Sequence, residues 1–154
     1  MSLGWQELVA ELKRAGLLVS AGNGAPAVSS VTSDSRTVRP GAVYVAVRGS
    51  QADGHRFVPD AMRRGAAALV VETPVENAAL PQAVVRDGRR AAITLGAAWY
   101  DHPGRKLRIA GVTGTNGKTT TTMLLRHLLN AGGTAGSIGT IGAVDGEGEN
   151  VAST

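Results

Sequence analysis

The sequence contains no cysteine. Disulfides and thiolate metal sites are thereby excluded, and a reducing compartment is permitted. Aromatic residues make up only 3%, so no series of stacking platforms for nucleic-acid bases can be assembled. Lysine and arginine form no block: 16 basic residues against 12 acidic ones, a net charge of +4, are spread along the chain. Anionic small molecules such as nucleotides account for that excess, and nucleic acid is not an expected partner. The longest apolar run, Ala66 to Val71, is far too short to span a bilayer. The first residues lack the basic-then-apolar order of a secretory signal, so none is expected. His55, His102 and His127 stand apart; each reads as a surface or packing residue, and no zinc site or Ser/His/Asp triad is expected.

What the sequence does have is small residues and an adequate core. Apolar residues reach 43%, with 21 glycines among 154 residues, a composition suited to closely packed α/β structure. The stretch 111–120, Gly-Val-Thr-Gly-Thr-Asn-Gly-Lys-Thr-Thr, organises the rest. An apolar run, Leu107 to Val112, reads as a strand leading in, and the helix-periodic Thr121 to Leu129 leads out. Strand, glycine-rich turn, lysine, hydroxyl pair and helix make a phosphate cradle. Backbone amides of Gly114, Thr115, Asn116 and Gly117 would face an anion, with Lys118 as a point charge on the outer phosphates. Thr119 would place its hydroxyl on a magnesium ion, and Thr120 would contact the nucleotide. The first glycine, Gly111, falls one residue earlier than the strict G-x-x-x-x-G-K-[ST] spacing requires.

Upstream, residues 3–15 carry apolar side chains at helical spacing, and Gly16 marks a stop. Residues 20–26 read as a loop. Strands are expected at 28–36, 42–47, 67–71 and 83–85, and helices at 57–64 and 89–100. Residues 101–106 read as a linker, giving a first domain over 1–103 and the start of a second over 104–154. Short strands are expected at 134–140 and 141–144, then a polar turn at 145–150. A doubly wound nucleotide-binding sheet ordinarily has more strands than follow the linker, so the second domain is expected to be incomplete here.

Two polar loops remain open in meaning. Ser33, Ser35 and Arg36 could hold a phosphate or a uracil edge, or form a turn that Asp34 caps. Ser50, Gln51 and Asp53 read first as turn formers.

The loop 111–121 resembles the ATP loop of the Mur ligase family, which writes its first glycine with the same offset. Upstream, Asp34-Ser35-Arg36, Pro40-Gly41, Tyr44-Val45-Ala46, Gly49, Asp53-Gly54-His55 and Gly65-Ala66 resemble that family's N-terminal domain in the ligases adding the third residue (MurE type) or the final dipeptide (MurF type). Residues 137–142, Ser-Ile-Gly-Thr-Ile-Gly, resemble the MurE type. The resemblance implies a cytoplasmic enzyme of peptidoglycan synthesis. With ATP and Mg2+, it would join a diamino acid, meso-diaminopimelate or L-lysine, to UDP-N-acetylmuramoyl-L-alanyl-D-glutamate through an acyl phosphate. It implies a small UDP-substrate-binding α/β domain followed by a P-loop ATPase domain, with Lys118 at the transferred phosphoryl group. Ser33, Ser35, Ser50, Gln51 and Ala52 match its contacts to the UDP end; Ser50 stands where the family can carry histidine, and Ser33 where it can carry leucine. Further magnesium ligands and the amino-acid-binding domain would lie beyond Thr154, so the 154 residues are not expected to complete the ligation. The alternatives are a MurF-type ligase adding D-alanyl-D-alanine and a P-loop regulatory NTPase.

Overall fold

The computed structural model describes residues 3–49, 52–76 and 78–151. They form two compact units, 1–107 and 108–154, each taken here by itself.

The first unit is a five-stranded sheet between helices. In chain order its elements are α1 (Trp5–Arg14), β1 (Leu18–Ala21), β2 (Ser30–Thr32), β3 (Ala42–Val45), α2 (Val58–Arg63), β4 (Ala68–Val71), β5 (Gln82–Val85) and α3 (Gly88–Trp99). The strand order is β1-β5-β4-β3-β2. Strands β2 to β5 are mutually parallel, and β1 closes one edge antiparallel to β5. Successive side chains of a strand point to opposite faces, and the two cores follow that alternation. Val43, Val45 and Val70 pack with Trp5, Leu8, Leu12 and Leu95 of α1 and α3. Tyr44, Leu69 and Val71 pack with Val58 and Ala61 of α2 on the other face. Strands covered on both sides read as continuous apolar runs, and all four residues of β3 and of β4 are buried.

Three sequence expectations change. Residues 20–26 are not wholly loop, because Ser20 and Ala21 belong to β1; three of its four residues are exposed, so it carries no apolar signal and exists through its pairing with β5. The strand expected to 36 ends at Thr32, and Ser35–Thr37 form a 3-10 turn. Residues 107–112 pair with no strand among the described residues, and Ile109 is 76% exposed. An apolar run gains strand structure only from a neighbour that takes its backbone hydrogen bonds.

The second unit holds α4 (Lys118–Asn130) and an antiparallel meander of β6 (Ser137–Gly139), β7 (Gly142–Val144) and β8 (Asn150–Val151). Asn130 exchanges two hydrogen bonds with the Ala135 backbone, and Arg126 Nε donates to the Ala135 carbonyl at 3.0 Å, tying the meander to the helix. Among the described residues no helix is long and apolar enough to cross a membrane.

Candidate functional site

Because β2 to β5 run parallel, their carboxyl ends leave the sheet along one edge. In open α/β sheets that edge is where ligands are taken. Four chain segments emerge there: 33–37, the described parts of 46–55 (46–49 and 52–55), 72–74 and 86–88.

After β2, the Asp34 carboxylate accepts from the Arg36 backbone N–H at 2.9 Å and from its guanidinium at 2.6 to 3.1 Å. Those bonds, the guanidinium first, hold the Asp34 carboxyl down at about 2. The capped turn is therefore present. It buries Ser35 to 7% exposure, and the Ser35 hydroxyl meets no protein partner among the described residues. Ser33 is exposed. Capping and ligand binding are thus compatible: Asp34 fixes the turn and leaves the serine hydroxyls unengaged.

After β3, Arg48 and Asp53 face each other as an isolated antiparallel bridge, and Gly49 N–H donates to the Ala52 carbonyl at 2.9 Å. Ala52 is exposed at the neck of this loop; Ser50 and Gln51 lie outside the described residues. The buried Tyr44 hydroxyl donates to the Gly54 carbonyl at 3.0 Å, and burial pushes its pKa up to about 12, so it stays a donor.

His55, expected to be an isolated surface or packing residue, joins two segments. Its Nδ1 lies 2.6 Å from Asp53 Oδ1, and its Nε2 accepts from Glu72 N–H at 2.9 Å. The Glu72 carboxylate in turn accepts from Gly88 N–H at 2.7 Å and faces Arg48 Nε at 3.1 Å. Hydrogen bonds from His55, the backbone one first, hold the Asp53 carboxyl below the usual carboxylate range. The Asp53–His55 half of this network is local in sequence. The Glu72 half joins residues 17 positions apart, and no spacing rule could have found it.

In the second unit, Gly114 and Gly117 have φ of +150° and +74°, a region that side chains disfavour. They turn the loop so that Gly117 caps α4. Among the described residues no backbone N–H from Gly114 to Thr120 donates to a protein acceptor; the first helical bond is Thr121 N–H to Gly117 O at 2.9 Å. A row of free amides at the start of a 13-residue helix presents the donors and the positive dipole end that anions are attracted to. Lys118 Nζ folds back on the Gly114 carbonyl at 2.5 Å. The hydroxyls of Thr119 and Thr120 have no partner among the described residues, whereas Thr122 Oγ1 donates to the Lys118 carbonyl at 2.9 Å. Beside the first turns of α4 is a cavity of about 200 Å³ lined by Val112, Thr119, Met123, Ile138 and Ile141, among others. Among the described residues no group of three acidic or histidine side chains could hold a metal ion.

Comparison with known proteins follows this division. The Mur ligase family, catalytic domain, matches residues 27–100, and the Mur ligase middle domain matches residues 112–154. A UDP-N-acetylmuramyl-tripeptide synthetase of Roseiflexus sp. (strain RS-1) is 50% identical over 119 residues, 75% of this chain and 23% of the relative. A UDP-N-acetylmuramoyl-L-alanyl-D-glutamate--2,6-diaminopimelate ligase of Chlorobium phaeobacteroides is 50% identical over 117 residues, 73% of this chain and 23% of the relative. Among solved structures, MurF from Acinetobacter baumannii superposes with a TM-score of 0.64 at 26% identity, covering 86% of this chain and 29% of that one. MurF ligase from Thermotoga maritima in complex with ADP gives 0.52 at 31% identity, covering 73% and 27%. The chain spans about a quarter of the length of the curated relatives it matches.

Proposed function

The chain belongs to the Mur ligase family, and on that premise we propose that it carries the precursor-binding lobe and phosphate loop of an ATP-dependent ligase adding a diamino acid to UDP-N-acetylmuramoyl-L-alanyl-D-glutamate. In this reading residues 1–103 hold the UDP end of the precursor and residues 104–154 begin the ATP-binding domain. The observation that carries it is the unbroken run of unengaged N–H groups from Gly114 to Thr120, through the loop and the first turn of α4. Such a run is costly unless an anion or water takes it up, and a nucleotide's phosphates fit it.

The reaction divides into two steps. The γ-phosphoryl group passes to the D-glutamyl carboxylate, giving an acyl phosphate and ADP. The amine of the incoming amino acid then attacks that carbonyl, an amide forms, and phosphate and a proton leave. Lys118 exchanges the Gly114 carbonyl for the outer phosphates, a stronger charge-assisted bond, and offsets charge on the transferred group. The unengaged Thr119 hydroxyl would hold a magnesium ion, a hard cation that takes oxygen ligands. When bound, that ion draws negative charge off the phosphates.

On the first unit, Ser33 and Ser35 after β2 and Ala52 after β3 take the uridine diphosphate end, together with Ser50 and Gln51. Relatives at 43–50% identity bear tripeptide-synthetase or diaminopimelate-ligase names, whereas the solved MurF structures stand at 26–31%. That difference favours addition of the third residue over the final dipeptide. The reading puts the protein in the cytoplasm, with the ATP supply.

The test is ADP release by the full-length protein given precursor with meso-diaminopimelate, L-lysine or D-alanyl-D-alanine in separate reactions. Release with one diamino acid is expected. Release only with the dipeptide would make it a MurF-type ligase, and precursor-independent release would make it a nucleotide switch.

A further inference from the structure

The geometry points to His55 as a positioning residue: it latches the 48–54 loop to the end of β4 and so sets the neck of the precursor-binding loop. This rests on the reading of the first unit given above.

The ring uses both nitrogens. Nε2 accepts the Glu72 N–H at 2.9 Å, with the Thr73 N–H at 3.4 Å on the same side. An accepting nitrogen carries no proton, so in this neutral ring the proton sits on Nδ1 and is donated to Asp53 Oδ1 at 2.6 Å. Asp53 Oδ1 also accepts the His55 backbone N–H at 3.0 Å. Asp53 thereby fixes the tautomer that Glu72 N–H requires, as carboxylates orient histidines elsewhere. The ring's side chain is only 15% exposed, so water competes poorly for either bond.

The consequence falls on the loop neck. Asp53 is bridged to Arg48, Gly54 N–H donates to the Val47 carbonyl at 2.9 Å, and Gly49 N–H donates to Ala52. Glu72 also faces Arg48 through its carboxylate. His55 therefore closes a ring of contacts running Asp53, His55, Glu72, Arg48 and back to Asp53. Remove the imidazole, and among the described residues the exits of β3 and β4 are joined on this side through the Arg48 guanidinium, which faces Glu72 at 3.1 Å and donates to Thr73 Oγ1 at 3.0 Å. That side chain is 55% exposed, so its pairing is correspondingly weak. Ala52, at the loop neck, then samples positions that bind the precursor less well, while the nucleotide loop in the other unit is untouched.

The experiment uses the full-length protein and four forms: wild type, His55→Ala, His55→Gln and His55→Asn. Glutamine keeps an acceptor near the Nε2 position; asparagine keeps a donor near Nδ1 but loses the acceptor. Steady-state kinetics give separate KM values for precursor and ATP, and thermal melting reports folding. His55→Ala is expected to raise the precursor KM roughly tenfold with the ATP KM and kcat within about twofold. That corresponds to loss of about one well-formed hydrogen bond. His55→Gln is expected to recover most of the loss and His55→Asn little of it. Equal rises in both KM values, or a folded His55→Asn indistinguishable from wild type, would overturn the latch. Should His55→Ala fail to fold, the Gln and Asn pair decides. If wild type itself does not use the precursor, the ligase reading falls and the latch with it; if wild type does and the variants match it, only the latch falls.

Discussion

The Glu72 carboxylate accepts the backbone N–H of Gly88 at 2.7 Å. This one bond joins the end of β4 to the start of α3, and its geometry needs the absence of a side chain. A Cβ built at Gly88 would lie 2.6 Å from the Ala46 carbonyl and 3.1 Å from Glu72 Oε1. Three strand exits thus converge on a position that only glycine can occupy, at the edge proposed to bind the precursor.

Gly88→Ala is expected to destabilise the first unit by roughly 1–3 kcal/mol, the usual cost of forcing an atom into a filled site. Gly96→Ala in the same helix is expected to stabilise it by about 0.5–1 kcal/mol, because its added Cβ meets nothing within 4 Å and glycine is entropically costly in a helix. Urea denaturation of the two variants should move in opposite directions.

Lys118→Ala is expected to lower kcat for ADP release in the full-length protein by at least about 10²-fold, leaving precursor affinity unchanged. Thr119→Ala should raise the magnesium concentration needed for half-maximal rate. Thr122→Ala, whose hydroxyl is spent on the Lys118 carbonyl, should not. A magnesium titration of the three variants separates these roles.

The Asp34 carboxyl is held down at about 2 by the Arg36 guanidinium. The sign follows from linkage: a depressed folded value adds stability that is complete above about pH 4 and is lost as pH falls through about 2. Asp34→Asn keeps the acceptor for Arg36 N–H and removes the charge. Wild type should melt higher than Asp34→Asn at pH 5, and the two curves should converge near pH 2. The gap will be modest, since the Arg36 side chain is 81% exposed.

Arg126 reaches the Ala135 carbonyl at 3.0 Å and the Asp145 carbonyl at 3.4 Å. Arg126→Ala removes a charged donor worth about 1.5–3 kcal/mol. Amide hydrogen exchange over residues 137–144 should accelerate roughly tenfold or more, with the amides of α4 itself little changed.

Much of this molecule is readable from local pattern. The buried runs 42–45 and 68–71 have no polar interruption, and α1 and α3 carry their apolar residues at helical spacing. Asp34 and Asp87 cap the turns and helix that follow them. The glycine-rich loop 111–120, proposed to hold phosphate, is equally local, because its glycines, lysine and threonines lie in one turn and the first turn of α4. Edge strand β1 was hidden, since three of its four side chains face solvent. Leu107 to Val112 misled in the other direction: it has a strand's composition but lacks a partner here to complete it.

The sequence alone determined the α/β class, the glycine-rich turn ahead of α4 and the resemblance to the Mur ligases, because each depends on residues close together in the chain. Tertiary structure decided that four loops share one sheet edge, and that His55, Glu72, Arg48 and Gly88 act together. Those contacts are fixed by strand order and register, quantities that arise only when separated segments compete to bury the same apolar faces.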